Sequence, residues 1–210
     1  MITKTIKLDK NSLNKNELDM VISILETGGI VLYPTDTLYG LAANIYDEMA
    51  VKKIYDIKKR SLDKALSICL SDINEILKVA KISKNNLDII SSLLPGPYTI
   101  LLEKKDCISD TLTAHSNKIG IRIPNNKISR QLSQKFPITT TSANISNCKP
   151  EIRPDLIMGQ LNCDVDLILD VGLLDNQEPS TIIDFTNSPP SLVRKGIGLN
   201  NLKNKINIIE

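Results

Sequence analysis

The chain has a single histidine, His115, in 210 residues. A Ser-His-Asp or Cys-His mechanism would have to use it, and it lies in the polar stretch Leu112-Thr-Ala-His-Ser-Asn117 with no motif around it. The four cysteines, Cys69, Cys107, Cys148 and Cys163, form no C-x-x-C pair, and none has a histidine at metal-ligand spacing. That argues against a zinc site or a disulfide framework and for a reduced, cytoplasmic chain. No stretch approaches the roughly 20 apolar residues of a membrane span. The opening MITKTIKLDKN lacks the apolar centre of a secretory leader. A charge surplus is also missing: 26 Lys and Arg stand against 24 Asp and Glu. The total therefore points to no polyanion partner, although clustering would still make a basic surface. There is no Gly-rich Walker loop, so a bound nucleotide would need its phosphates held by side chains and strand-end loops. Internal repeats, low-complexity runs and long linkers are absent as well, and we read 1–210 as one domain.

What is present is an ordinary globular composition, 41% hydrophobic and 24% charged. The length allows a core without metals or disulfides. Helix and strand patterns alternate. Lys15–Thr27 reads as a helix with Leu18, Val21, Ile22 and Leu25 on one face, stopped by Gly28-Gly29. Ile30–Tyr33 is a short apolar strand ended by Pro34, and Ala50–Lys58 a helix carrying Val51, Ile54 and Tyr55 on its apolar face. Strands are expected at 66–70, 98–102, 119–123, 138–141, 167–170, 181–185 and 191–194, and helices at 73–79, 85–94, 128–136 and 156–161. This rhythm predicts an α/β fold: a single twisted, mixed β-sheet of about seven strands with flanking helices.

Five polar patches fall at strand ends or turns, where sites in α/β folds gather. Tyr33-Pro-Thr-Asp-Thr-Leu-Tyr-Gly40 offers two hydroxyls and a carboxylate after a strand; it also reads as a plain turn with Asp36 capping backbone. Lys58-Lys-Arg-Ser-Leu-Asp-Lys64 has four cations in seven residues, fit for polyphosphate or equally for a helix C-terminus. In Gly120-Ile-Arg-Ile-Pro124 the arginine must face away from both isoleucines, to snorkel to water or meet a carboxylate. Thr139-Thr-Thr-Ser-Ala-Asn-Ile-Ser146 is a dense donor and acceptor loop. Pro179-Ser-Thr-Ile-Ile-Asp184 brings hydroxyls into a strand, and Leu192-Val-Arg-Lys-Gly-Ile-Gly198 brings cations out of one.

In order and spacing these elements resemble the YrdC/Sua5 family, the threonylcarbamoyl-adenylate synthases. GGIVLYPTDTLYGL (28–41), AVKKIYDIKKR (50–60), LLPGPYTILL (93–102), IGIRIP (119–124), TTSANIS (140–146), STIIDF (180–185) and LVRKGIG (192–198) carry the match across nearly the whole chain. The resemblance implies a YrdC-like fold with a basic concave cavity, in the short form without the extra C-terminal domain of Sua5-type members. It implies L-threonine, bicarbonate and ATP as substrates, with Mg2+ accompanying the triphosphate. The product would serve tRNA modification through downstream threonylcarbamoyl-transfer proteins. Carried over by position, Thr35, Ser67, Arg122, Ser142 and Ser180 are expected to contact threonine. Lys58 and Arg60, as the catalytic K-x-R pair, are expected to contact ATP with Lys118, Asn144 and Arg194.

The chain departs from the family pattern at four places: Ser61 and Ala65 stand where prolines are usual, Cys69 where Sua5-type members place a histidine, and Asn147 where the S-x-N-x-S motif ends in glycine. These departures bear on site geometry more than on reaction class. Three other readings compete. A YciO-like paralogue shares the IGIRIP and LVRKGIG elements, but such proteins tend to lose the Ser-Ala-Asn motif, which this chain keeps. A non-catalytic module binding tRNA or double-stranded RNA would not need the hydroxyls of Thr35, Ser142 and Ser180. A carbamoyl-transfer domain of a hydrogenase-maturation protein would be expected with acylphosphatase or zinc-finger segments.

Overall fold

In a computed structural model the described residues are 3–8, 12–174, 178–203, 206, 208 and 209. In chain order the elements are β1 (Lys4–Lys7), α1 (Lys15–Glu26), β2 (Val31–Tyr33), β3 (Gly40–Ala42), α2 (Glu48–Ile57) and β4 (Ser67–Cys69). A 3-10 turn at Ile73–Glu75 leads into α3 (Ile76–Val79), then β5 (Ala80–Lys81), α4 (Lys84–Ser91), β6 (Tyr98–Lys104), α5 (Asp110–Thr113), β7 (Lys118–Arg122) and α6 (Lys127–Leu132). The chain continues through β8 (Ile138–Thr139), β9 (Thr141–Ser142), α7 (Pro154–Leu161), β10 (Leu167–Asp170), β11 (Thr181–Asp184), β12 (Ser191–Arg194) and α8 (Leu199–Lys203).

The mixed α/β class is as the sequence implies, but the strands form two sheets rather than one. The first runs β1-β10-β2-β3-β9; the second runs β12-β11-β6-β7-β4-β8, with β5 added on β6. The expected single strand at 138–141 shows why. Ile138 and Thr139 pair with β4 in the larger sheet, whereas Thr141 and Ser142 pair with β3 in the smaller one. Between them the Thr140 amide donates to the Ser67 carbonyl at 2.8 Å. Apolar patterning shows which residues are buried, not which sheet buries them, so a four-residue β-branched run conceals such a switch. The buried Thr139 hydroxyl stitches the seam: it donates to the Leu41 carbonyl at 2.8 Å and accepts from the Ala43 amide at 2.9 Å.

Period-two alternation accounts for two apolar cores. Leu32 of β2 joins Leu41, Ile68, Ile100 and Ile121 in the larger cluster. Its neighbours Val31 and Tyr33 turn to the other side and meet Val21 and Leu25 of α1 and Ile128 and Leu132 of α6. Two of the longer helices are capped by their own sequence. Asn14 and Glu17 form a reciprocal capping box on α1. Asp47 accepts from the Met49 and Ala50 amides at 2.9 and 3.0 Å, fixing the start of α2.

Candidate active site

A cavity of about 190 Å3 opens where the sheets meet. The larger sheet makes its floor. Strand register places Arg194 opposite Ile182 and Ile182 opposite Thr99, then Gly120 opposite Ser67 and Arg122 opposite Cys69. The smaller sheet and its loops contribute Thr35, Thr37, Gly40, Thr141 and Ser142. Three guanidiniums, Arg60, Arg122 and Arg194, line the space, with the hydroxyls of Ser67, Thr99, Ser142 and Ser180, and no acidic side chain is part of the lining. Gly120 allows the floor to close. A Cβ there would lie 2.5 Å from the Ser67 Oγ and 3.3 Å from the Thr99 Cγ2.

The arginines are held in two different ways. Arg122 is 8% exposed, and Ile121 and Ile123 point into the core as the strand pattern requires. Its Nη2 donates to the Asp36 Oδ1 at 2.8 Å, and its buried Nε has no hydrogen-bond partner. The other Asp36 oxygen accepts from the Asn125 amide at 2.9 Å. Arg60 and Arg194 are instead pinned by backbone carbonyls. Arg60 donates through Nε to Lys64 at 3.0 Å and through Nη2 to Ala65 at 2.8 Å. Arg194 donates through Nε and Nη2 to the Ser180 carbonyl at 3.2 and 2.8 Å, and through Nη2 to the Ser180 hydroxyl at 3.1 Å. Burial pulls the pKa of both below the usual arginine value, and the Arg122 charge adds to the effect at Arg194. Cationic charge on these two arginines is thus poorly compensated, a condition an anion relieves.

The other residues singled out from the sequence divide between cavity wall and support. Ser67, Ser142 and Ser180 are on the wall. Thr35 is there too, but its hydroxyl serves its own loop: it donates to the Leu38 carbonyl at 2.6 Å and accepts from the Thr37 and Leu38 amides at 3.0 and 3.2 Å. This is a Ser/Thr-type turn that uses up its lone pairs. Lys58 is outside the lining, 2% exposed. Its ammonium donates to the Ser142 carbonyl, to the Asn144 carbonyl at 2.8 Å and to Asn144 Oδ1 at 3.4 Å. The Lys58 carbonyl in turn accepts from the Ser146 amide at 2.8 Å. Lys58 therefore clamps the 142–146 loop to the end of α2. Burial, and after it the Arg60 charge, lowers the ammonium's pKa to about 7.

Asn144 also lies outside the lining. It accepts from the Ser142 hydroxyl at 2.5 Å and donates to the Ile145 and Cys148 carbonyls at 2.8 and 2.9 Å. Asn147 sits at φ 68°, the left-handed conformation that asparagine tolerates in place of glycine. Lys118 is away from the lining and pairs with Asp184 at 2.7 Å. Burial acts to raise the Asp184 pKa but is outweighed by the bonds from Lys118 and Thr186, which leave it below the usual range. His115 is exposed and outside the cavity. Cys69 is fully buried against Ser129 and Ser133, and burial pushes its thiol up to about 12, so it is no nucleophile. Asp36, Thr37 and Thr99 are additions. From its own neighbourhood Asp36 was readable as a patch carboxylate or as a backbone cap; the signal pointing further was Arg122, a strand cation expected to meet either water or a carboxylate. No group of three or more His, Cys, Asp or Glu side chains among the described residues is placed to hold a metal ion.

The family profile for Sua5, YciO and YrdC proteins, described as "Telomere recombination", matches residues 23–196. The chain belongs to this family. A putative threonylcarbamoyl-AMP synthase from Methanocaldococcus jannaschii is 42% identical over 189 residues, covering 88% of this chain and 90% of the relative. The structure of P. abyssi Sua5 complexed with L-threonine superposes with a TM-score of 0.87 at 26% identity; it covers all of this chain, which spans 63% of that longer protein. The structure of E. coli YciO has the same TM-score, 0.87, at 26% identity, covering 96% of this chain and 99% of YciO.

Proposed function

We propose that this family member is an L-threonylcarbamoyladenylate synthase, a nucleotidyltransferase. It joins L-threonine, bicarbonate and ATP and releases pyrophosphate. The observation that carries the reading is a cavity lined by three guanidiniums and a set of hydroxyls, without an acid in its wall. Every species in this reaction carries negative charge: the threonine carboxylate, bicarbonate, the carbamate and the triphosphate. The threonine amine and bicarbonate give a carbamate and water; the carbamate oxygen then attacks the α-phosphorus, and the bond to pyrophosphate breaks. Such a reaction needs fixed cations and good alignment more than a covalent nucleophile. The name of the M. jannaschii relative and the threonine complex of P. abyssi Sua5 support the same substrate.

Arg122 is assigned to the threonine carboxylate, with Ser142 and Ser180 around the amino acid and Ser67 on the floor. Arg60 and Arg194 are assigned to the triphosphate. Lys58 and Asn144 act by shaping the Ser142 loop. Mg2+ enters as part of the nucleotide substrate, ligated by phosphate oxygens and water, because the lining has no carboxylate to hold it. The adenylate would pass to transfer proteins that modify tRNA in the cytoplasm. No helix among the described residues is long and apolar enough to cross a membrane.

The test is to supply labelled bicarbonate, ATP and L-threonine to the purified protein. Label should appear in a threonine-dependent adenylate, with matching pyrophosphate. Absence of any threonine-dependent product would overturn the reading. It would favour the YciO-like alternative, which the near-complete overlap with E. coli YciO supports.

A further inference from the structure

Asp36 lies outside the cavity lining, yet it holds Arg122, whose side chain is almost fully buried. The ion pair with Arg122 is 2.8 Å long, and the two side chains are 9% and 10% exposed. The second Asp36 oxygen accepts from the Asn125 amide, just past the end of β7, so the carboxylate bridges the 34–36 loop of one sheet to the strand end of the other. The bond enters Arg122 at Nη2, and Arg122 shares the cavity lining with Ser67, Thr99 and Ser142. Ser129 fixes the start of the same loop by donating to the Pro34 carbonyl at 2.8 Å.

We propose that Asp36 is a positioning residue for substrate carboxylate recognition: it aims the buried Arg122 guanidinium without itself touching the ligand. The proposal rests on the assignment of Arg122 to the threonine carboxylate. A buried guanidinium without a partner carries an uncompensated desolvation cost and turns toward solvent or another acceptor. With Asp36 present the pair is neutral overall, so Arg122 contributes direction and bidentate geometry rather than long-range attraction. The same arrangement selects an amino acid bearing a free carboxylate over an alcohol or amide of the same shape.

The test compares Asp36→Asn, which keeps the shape and an acceptor for Asn125, with Arg122→Ala. The measurements are L-threonine and ATP affinity by calorimetry, the preference for L-threonine over L-threoninol, and melting temperature. Asp36→Asn should weaken threonine by about tenfold or more while ATP changes by less than about threefold. Most of the preference over threoninol should be lost, and little further threonine binding should be lost when Arg122→Ala is added. If Arg122→Ala selectively weakens threonine and Asp36→Asn does not, this inference is wrong and the Arg122 assignment survives. If Arg122→Ala weakens both ligands equally, the carboxylate assignment itself fails. A lower melting temperature with both affinities and the threoninol preference unchanged would make Asp36 a structural residue only.

Discussion

The cavity holds its arginines in two different ways. Arg122 is buried and faces an acid, Asp36. Arg60 and Arg194 are tied down by main-chain carbonyls, with a serine hydroxyl added at Arg194. A backbone carbonyl fixes a guanidinium without cancelling its charge; a carboxylate does both. The acid-paired arginine is therefore suited to orienting a small ligand of modest charge, and the carbonyl-tied pair to drawing in and neutralising a polyanion. Both arrangements avoid flexible cations, whose ordering on binding would cost entropy.

Replacing Arg122 should produce the largest effect. Arg122→Ala removes the proposed carboxylate contact and leaves Asp36 buried without its cation. We expect kcat/KM for threonine to fall about 100-fold or more, and unfolding free energy by about 3 kcal/mol. Steady-state kinetics and denaturant titration measure these. Next come Arg60→Ala and Arg194→Ala. Each should raise the KM for ATP about 10- to 100-fold, with KM for threonine within about threefold and stability nearly intact, because no acid is orphaned.

Lys58→Met sharpens the comparison from behind the wall. Loss of the clamp on Ser142 and Asn144 should lower kcat about tenfold by misplacing the loop. It also has a pH signature. Lys58 is held at about 7 in the fold against 10.5 ordinarily. Between those values the unfolded chain binds a proton the folded chain lacks. Wild-type stability should therefore rise with pH over that window relative to Lys58→Met, by at most about 1.4 kcal/mol per pH unit, with no such slope below it. A flat difference across pH 7 to 10 would show that the ammonium stays charged in the fold. The smallest effect is that of salt. Raising ionic strength from about 0.05 to 0.3 M should weaken ATP several-fold and threonine hardly at all.

How much of this was readable beforehand follows from the kind of information each feature needs. The helix at α1 and the strand at β7 were legible because their periodicities are local. The orientation of Arg122 away from Ile121 and Ile123 followed from alternation alone. The division into two sheets was not legible, since it depends on Thr140 turning between partners distant in sequence. β1, β3 and β5 were missed as well; they are short, and unlike β2 or β10 they do not stand out as apolar runs between turn signals. Around the cavity, residue types pointed to patches that the fold brings together, but not to the hydrogen bonds that each side chain makes. Lys58 and Asn144 share a motif with residues that line the cavity, yet they spend their hydrogen bonds inside the wall. Asp36 and Arg122, 86 residues apart, become partners only through the meeting of the sheets.

The most direct measurement of the proposed division of labour is a two-by-two binding experiment. Arg122→Ala and Arg194→Ala would each be titrated calorimetrically with L-threonine and, separately, with Mg-ATP. The account predicts crossed losses: threonine weakened about tenfold or more only in Arg122→Ala, and ATP weakened to a similar degree only in Arg194→Ala. Parallel losses of both ligands in both variants would contradict it, because the cavity would then be one undivided anion site.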